Sequence, residues 1–169
     1  MARTGYMTVE TTNIRTIDTC FSFQYTEDIE NGTIVGKGEL VDGEDSIYLA
    51  TSDFDEDNMY LVANPAWIYD VYTTADLAEE KYINKANKAF RVYKLKKDDI
   101  FKIGNVDTDT AFEVGQYLTY ANGKWTAGSD ATNFKVTGVE QVGYAFPITT
   151  TTVGTVGYKY TVEVVEKTA

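Results

Sequence analysis

Asp53, Asp55 and Asp57 stand at alternate positions of one acidic run, the nearest approach in this chain to a metal-binding pattern. A calcium loop also needs a glycine at its sixth position and a bidentate glutamate at its twelfth. Asn58 and Asn64 stand there instead, so the run reads as an acidic surface loop, and no metal ligand or cofactor is implied. Gly32-Thr33-Ile34-Val35-Gly36-Lys37-Gly38 is one residue short of a phosphate-binding loop and lacks its Ser or Thr. A hairpin with flexible glycines accounts for it better. The chain has no histidine. That removes the usual general base near neutral pH, the Ser-His-Asp and Cys-His arrangements, and every histidine-based metal site. Cys20 is the single cysteine and has no activating neighbour, so it reads as a buried or half-buried structural thiol. Two carboxyl groups suffice for glycoside hydrolysis, yet 26 acidic residues offer no means of choosing a pair.

The elements that would position these groups are mostly strands. Tyr, with 13 residues, outnumbers Phe and Trp together, and Tyr and Thr suit half-buried pleated surfaces. Tyr158, Tyr160, Val162 and Val164 fall on one face of a strand, because successive side chains alternate across the pleat. Asn122-Gly123 joins Gly115–Ala121 to Lys124–Thr126 as a hairpin, since both residues accept the positive φ of a type I′ turn. Further turns are expected at Asn31-Gly32 and Asp42-Gly43. Alternation at Phe21, Phe23 and Tyr25, and runs at 46–50, 59–63, 90–95, 100–103, 117–120, 134–136, 139–146 and 158–165, predict strands. Thr74 and Asp76 can cap one short helix near 75–84, with Leu77, Ala78, Tyr82 and Ile83 on its apolar side. The fold class is therefore mainly β. Two small β-rich lobes, sandwich or barrel-like, are expected at 20–89 and 90–169, behind an extended N-terminal arm at 1–19.

The net charge of −11 argues against binding nucleic acid through the whole surface, because phosphate neutralisation needs clustered Lys and Arg. No apolar run reaches the roughly 20 residues that span a bilayer, and Met1–Tyr6 has no apolar core of a secretory signal. A reducing cytoplasm is the expected site of folding. Between Lys81 and Lys102, eight basic residues face two acidic ones, a local balance of +6. This island either docks on an acidic partner or simply solvates a helix and strand edges.

Phe90–Phe101, which holds Leu95-Lys96-Lys97-Asp98-Asp99-Ile100, is followed by Phe112–Thr119 and Asn122–Trp125. In that order these segments resemble the head decoration proteins of tailed bacteriophages, over residues 90 to 166. The resemblance implies a non-enzymatic protein on the exterior of the assembled capsid, made in the bacterial cytoplasm. Its partners are then the major capsid protein and copies of itself, with a trimer favoured. The basic arm residues Arg3 and Arg15, with Tyr6 and Val9, are the first candidates for contact with the shell or a neighbour. Lys81, Lys85, Lys88 and Arg91 are the second. Two other readings stay open: a carbohydrate-binding or adhesive module using Trp67 and Trp125, and a glycosidase-like enzyme with a carboxylate pair.

Overall fold

The computed structural model describes residues 5–14, 20–66, 79–108, 111–129, 132–143 and 156–166. It is mainly β, with almost no helix. Five strands close a small barrel in the order β2-β4-β3-β5-β6. They are β2 (Cys20–Gln24), β3 (Ile34–Leu40), β4 (Ile47–Thr51), β5 (Tyr60–Val62) and β6 (Ala89–Lys94). Neighbours run antiparallel except β2 and β4, which pair in parallel. The remaining strands are β1 (Thr8–Glu10), β7 (Ile100–Gly104), β8 (Tyr117–Ala121), β9 (Lys124–Ala127), β10 (Phe134–Gly143) and β11 (Val156–Val164). They form a six-stranded sheet in the order β1-β7-β11-β10-β8-β9.

The expected alternations place the core. Phe23, Phe90 and Val92 point into the barrel, where Phe23 meets Tyr60 at a ring separation of 5.0 Å. Along β11, Tyr160, Val162 and Val164 are buried, while Tyr158 remains 40% exposed at the outer end of the same face. β5 is buried on both sides. Tyr60 and Val62 face the barrel interior, and Leu61 joins the second core beside Phe101, Ile103 and Leu118. In β3, Val35 and Ile34 divide in the same way. One barrel wall therefore serves two cores, and the two β-rich bodies are joined by packing.

Four expectations meet the structure differently. Of the N-terminal arm expected at 1–19, residues 5–14 are described; its strand Thr8–Glu10 pairs with the chain's own β7, and the chain turns at Thr11–Ile14. Met7 is 4% exposed, which makes it part of the second core. The boundary at 89/90 falls inside β6, which pairs with both β2 and β5 and belongs to the barrel. Of the helix expected near 75–84, residues 75–78 lie outside the described residues, and over 79–84 the chain is not α-helical. The described part is one 3-10 turn, Glu79–Lys81, after which Asn84 pairs with Ile29 as an isolated bridge. Pairing with Ile29 holds the chain extended at Asn84, which ends any helical period there. The runs at 134–136 and 139–146 are one strand through residue 143, kinked by a bulge between Val136 and Gly138. No helix among the described residues is long and apolar enough to cross a membrane.

Leu61 is fully buried, so Leu61→Ala should cost about 2–5 kcal/mol through lost transfer energy and the cavity left behind. Because the wall is common to both cores, denaturant unfolding followed by far-UV circular dichroism and by tryptophan fluorescence should give coincident midpoints, in wild type and variant alike. Two separated transitions would show that the cores unfold independently.

Candidate functional site

Two surface features lie where the barrel meets the six-stranded sheet. The first is a cleft of about 540 Å³, walled by the β2–β3 connection, the β4–β5 loop and the β8–β9 turn. Asn122 and Gly123 in that turn have φ of 51° and 77°, the conformation that the sequence signal anticipates. Facing them is the loop Ser52-Asp53-Phe54, held down by two contacts. Thr51 Oγ1 donates to the Asp53 carbonyl at 2.8 Å. Gly36 lets that carbonyl approach so closely that a Cβ at residue 36 would lie 2.0 Å from the oxygen. The glycine-rich run is thus a close-packing device in β3. The Phe54 ring then sits 6.3 Å from that of Tyr120 and bridges the two bodies.

Asp55 accepts from the backbone N–H groups of Asp57 (3.0 Å) and Asn58 (2.9 Å), which makes the aspartate run an Asx-type turn. Among the described residues no group of three or more Cys, Asp or Glu is placed to hold a metal ion. Asp28 lies at the cleft margin, where Lys85 Nζ approaches to 2.8 Å and Ala86 N–H donates at 2.9 Å. The hydrogen bond from Lys85 is the main reason that the Asp28 carboxyl is held below its ordinary value, and Lys85 is correspondingly raised.

The second feature is a groove in which edge strand β1 faces β6. Thr8 and Val9 form one side; Arg91 and Tyr93 form the other, with Asn31 and Asn64 also in the lining. A network of amides braces it. The Asn31 side chain takes the Asn64 N–H at 3.0 Å and returns Nδ2 to the Asn64 carbonyl at 2.9 Å, like one rung of a ladder. Asn84 Nδ2 donates to Asn31 Oδ1 and to the Ile29 carbonyl, both at 3.0 Å. The Tyr82 hydroxyl accepts from Asn64 Nδ2 at 2.6 Å and donates to Asn84 Oδ1 at 3.2 Å. These asparagines come from distant parts of the chain, and only the Asn31-Gly32 turn is visible in the sequence.

The candidate contact residues are distributed unevenly. Arg3 and Arg15 lie outside the described residues, as does Trp67. Tyr6 is half-buried, and its carbonyl accepts from Asn105 Nδ2 at 2.9 Å. Val9 packs partly against the second core and, with Arg91, lines the groove. Lys81, Lys85, Lys88 and Arg91 are exposed. Part of the basic island is offset by neighbours: Lys85 by Asp28, Lys97 by Glu166 at 2.9 Å, and Lys102 by Glu140 at 2.7 Å. Trp125 is no exposed platform for a sugar. It is 1% exposed, and its Nε1 donates to the Gly32 carbonyl at 3.0 Å, since an indole N–H taken out of water needs an acceptor. Cys20 is exposed, contrary to the expectation of a structural thiol, because it begins β2 on the outward-facing side of the alternation that buries Phe23.

Asn31→Ala should leave the Asn64 N–H and one Asn84 N–H without acceptors in a site that is 6% exposed at residue 31. A loss of about 2–3 kcal/mol is expected in urea unfolding; a change inside 0.5 kcal/mol would mean that the network is slack. For Asp28 the sign follows from its lowered pKa. Its stabilising contribution is present above the ordinary value of 3.8 and is lost as pH falls through the lower folded value. Asp28→Asn should therefore be less stable than wild type at pH 6, with the gap closing toward pH 2; a pH-independent gap would show that charge is not the cause. No family model, no curated protein and no solved structure matches this chain.

Proposed function

We propose that this chain is a non-enzymatic structural protein that binds the exterior of an assembled phage capsid and stabilises the shell. The shell as partner comes from the resemblance of residues 90–166 to head decoration proteins. The observation that supports a docking role is the placement of the N-terminal strand. β1 is an edge strand of the six-stranded sheet, and it opens on a groove that carries Arg91. A strand from a neighbour can add to such an edge, gaining main-chain hydrogen bonds while its alternate side chains enter the groove.

The working partners are the major capsid protein and further copies of the chain, with a trimer favoured by the resemblance. On this reading Arg3, Tyr6, Val9 and Arg15 are the first candidates for contact with the shell or a neighbouring copy, and Lys81, Lys85, Lys88 and Arg91 carry the attraction to an acidic partner. The high negative charge of the whole chain suits a protein crowded in many copies on a virion surface, because like charge opposes aggregation. The protein would reach that exterior after synthesis in the bacterial cytoplasm.

The full chain, mixed with decorator-free capsids assembled from the major capsid protein encoded beside its gene, should co-sediment and saturate. Arg91→Glu should leave thermal unfolding in place, since Arg91 is exposed, and weaken occupancy about tenfold or more. Absence of co-sedimentation at micromolar protein would end the proposal. Wild-type occupancy by the Arg91 variant would move the contact away from the groove.

A further inference from the structure

We propose that the cleft between the barrel and the β8–β9 turn is a binding site for an organic cation, a guanidinium or ammonium group carried on an aliphatic stem. Its volume of about 540 Å³ lies inside the roughly 300–1,000 Å³ range of small-molecule sites. Met7 and Ile34 in the lining are buried, at 4% and 1% exposure, so the apolar surface open to a hydrocarbon stem is that of the half-buried Tyr25 and Phe54. The rings of Tyr25 and Phe54 line the same space. The charged side chains of the lining are all carboxylates, Asp28, Glu30 and Asp53, and no Lys or Arg is among them.

These three carboxylates differ. Asp28 is engaged by Lys85 at 2.8 Å. Glu30 Oε2 takes the Met7 N–H at 2.9 Å, which fixes its carboxylate to the wall. Asp53 makes no ion pair among the described residues, and its backbone is held by Thr51 and the close approach to Gly36. Its carboxylate is thus the first acceptor for an incoming charge, presented on a loop that does not have to be ordered for the purpose.

The choice of ligand class follows from donor and acceptor arithmetic. Ionised carboxylates only accept, and guanidinium and ammonium groups only donate, so the two satisfy each other completely. A neutral sugar brings hydroxyls that need donors as well as acceptors. Aromatic faces add cation–π attraction. The barrel already contains one such contact, with Lys37 Nζ 3.7 Å from the centroid of Tyr48. A net charge of −11 raises the local concentration of any cation around a cleft with apolar walls.

Amide-resolved NMR of the full ¹⁵N-labelled chain tests this with agmatine, a guanidinium on a four-carbon stem, and with N-butylurea, its neutral counterpart. Agmatine should shift the amides of Ser52, Asp53, Asn122 and Gly123 saturably, and N-butylurea should not. Asp53→Asn, an exposed loop change that keeps the fold, should raise the agmatine Kd at least about fivefold. A capped Gly-Arg-Gly peptide separates the sources. Tighter binding of the peptide assigns a partner's side chain, and tighter binding of agmatine assigns a free amine; either supports the cation class. Equal responses to agmatine and N-butylurea, an unchanged Kd in Asp53→Asn, shifts with maltose alone, or no shifts at the cleft would each overturn the proposal.

Discussion

Three residues of β5 set the terms for the rest of the chain. Tyr60, Leu61 and Val62 are 4%, 0% and 0% exposed, although side chains along a strand alternate between opposite faces. A strand can be buried on both faces only if each side has its own apolar layer. Here the barrel interior supplies one layer and the six-stranded sheet the other. Each removed side chain of this size would cost on the order of 2–5 kcal/mol, a large share of the 5–15 kcal/mol by which domains are ordinarily stable. The wall therefore ties the two bodies into one energetic unit. It also fixes the positions of the cleft and the groove, because both open along the junction.

The second constraint is that the ends of the wall must be satisfied in hydrogen bonds where the strands stop. At one end the amide network of Asn31, Asn64, Asn84 and Tyr82 takes over from the ladder. Gly32 joins the two bodies there, its N–H donating to the Val62 carbonyl at 2.8 Å while its carbonyl accepts from Trp125. Trp125 is in turn enclosed by Tyr120, Phe101 and Phe134, with ring separations of 5.0, 6.1 and 4.9 Å. Indole burial thus depends on a backbone carbonyl in the other body. Neither core is complete without the other.

What could be read from the sequence is what depends on near neighbours. The Asn122-Gly123 turn, the alternation along Tyr160, Val162 and Val164, and most strand positions are local properties, and they are present in the fold. What could not be read is which strand meets which. Parallel pairing of β2 with β4, and antiparallel pairing of β1 with a strand some ninety residues away, leave no local trace, because pairing partners are chosen by the shape of the assembled core. The same holds for side chains with double uses. Asn31 reads as a turn residue and is also a buried hydrogen-bond hub, and Gly36 resembles part of a phosphate loop while serving as the seat of the Asp53 carbonyl. Tyr82 is apolar enough to suggest a helix face, yet its hydroxyl is placed between two asparagines by the bridge at Asn84.

That dependence also orders the surface by function. The close approach at Gly36 holds the Asp53 loop of the cleft, and the amide network of Asn31 and Asn64 braces the groove, so both surfaces are backed by held structure. A preorganised surface loses little entropy when it binds, whereas a free segment costs roughly 1–2 kcal/mol of backbone entropy per residue ordered. β1 is already held before any partner arrives. Met7 is buried, Thr8–Glu10 pairs with β7, and Lys159 reaches Glu10 across the sheet. A partner strand adding to β1 would therefore meet a fixed template, and its affinity would be decided by its own ordering and by the few exposed charges of the groove. Arg91, carried on a strand whose alternate residues Phe90 and Val92 are locked in the barrel core, is the charge there whose position the fold determines most firmly.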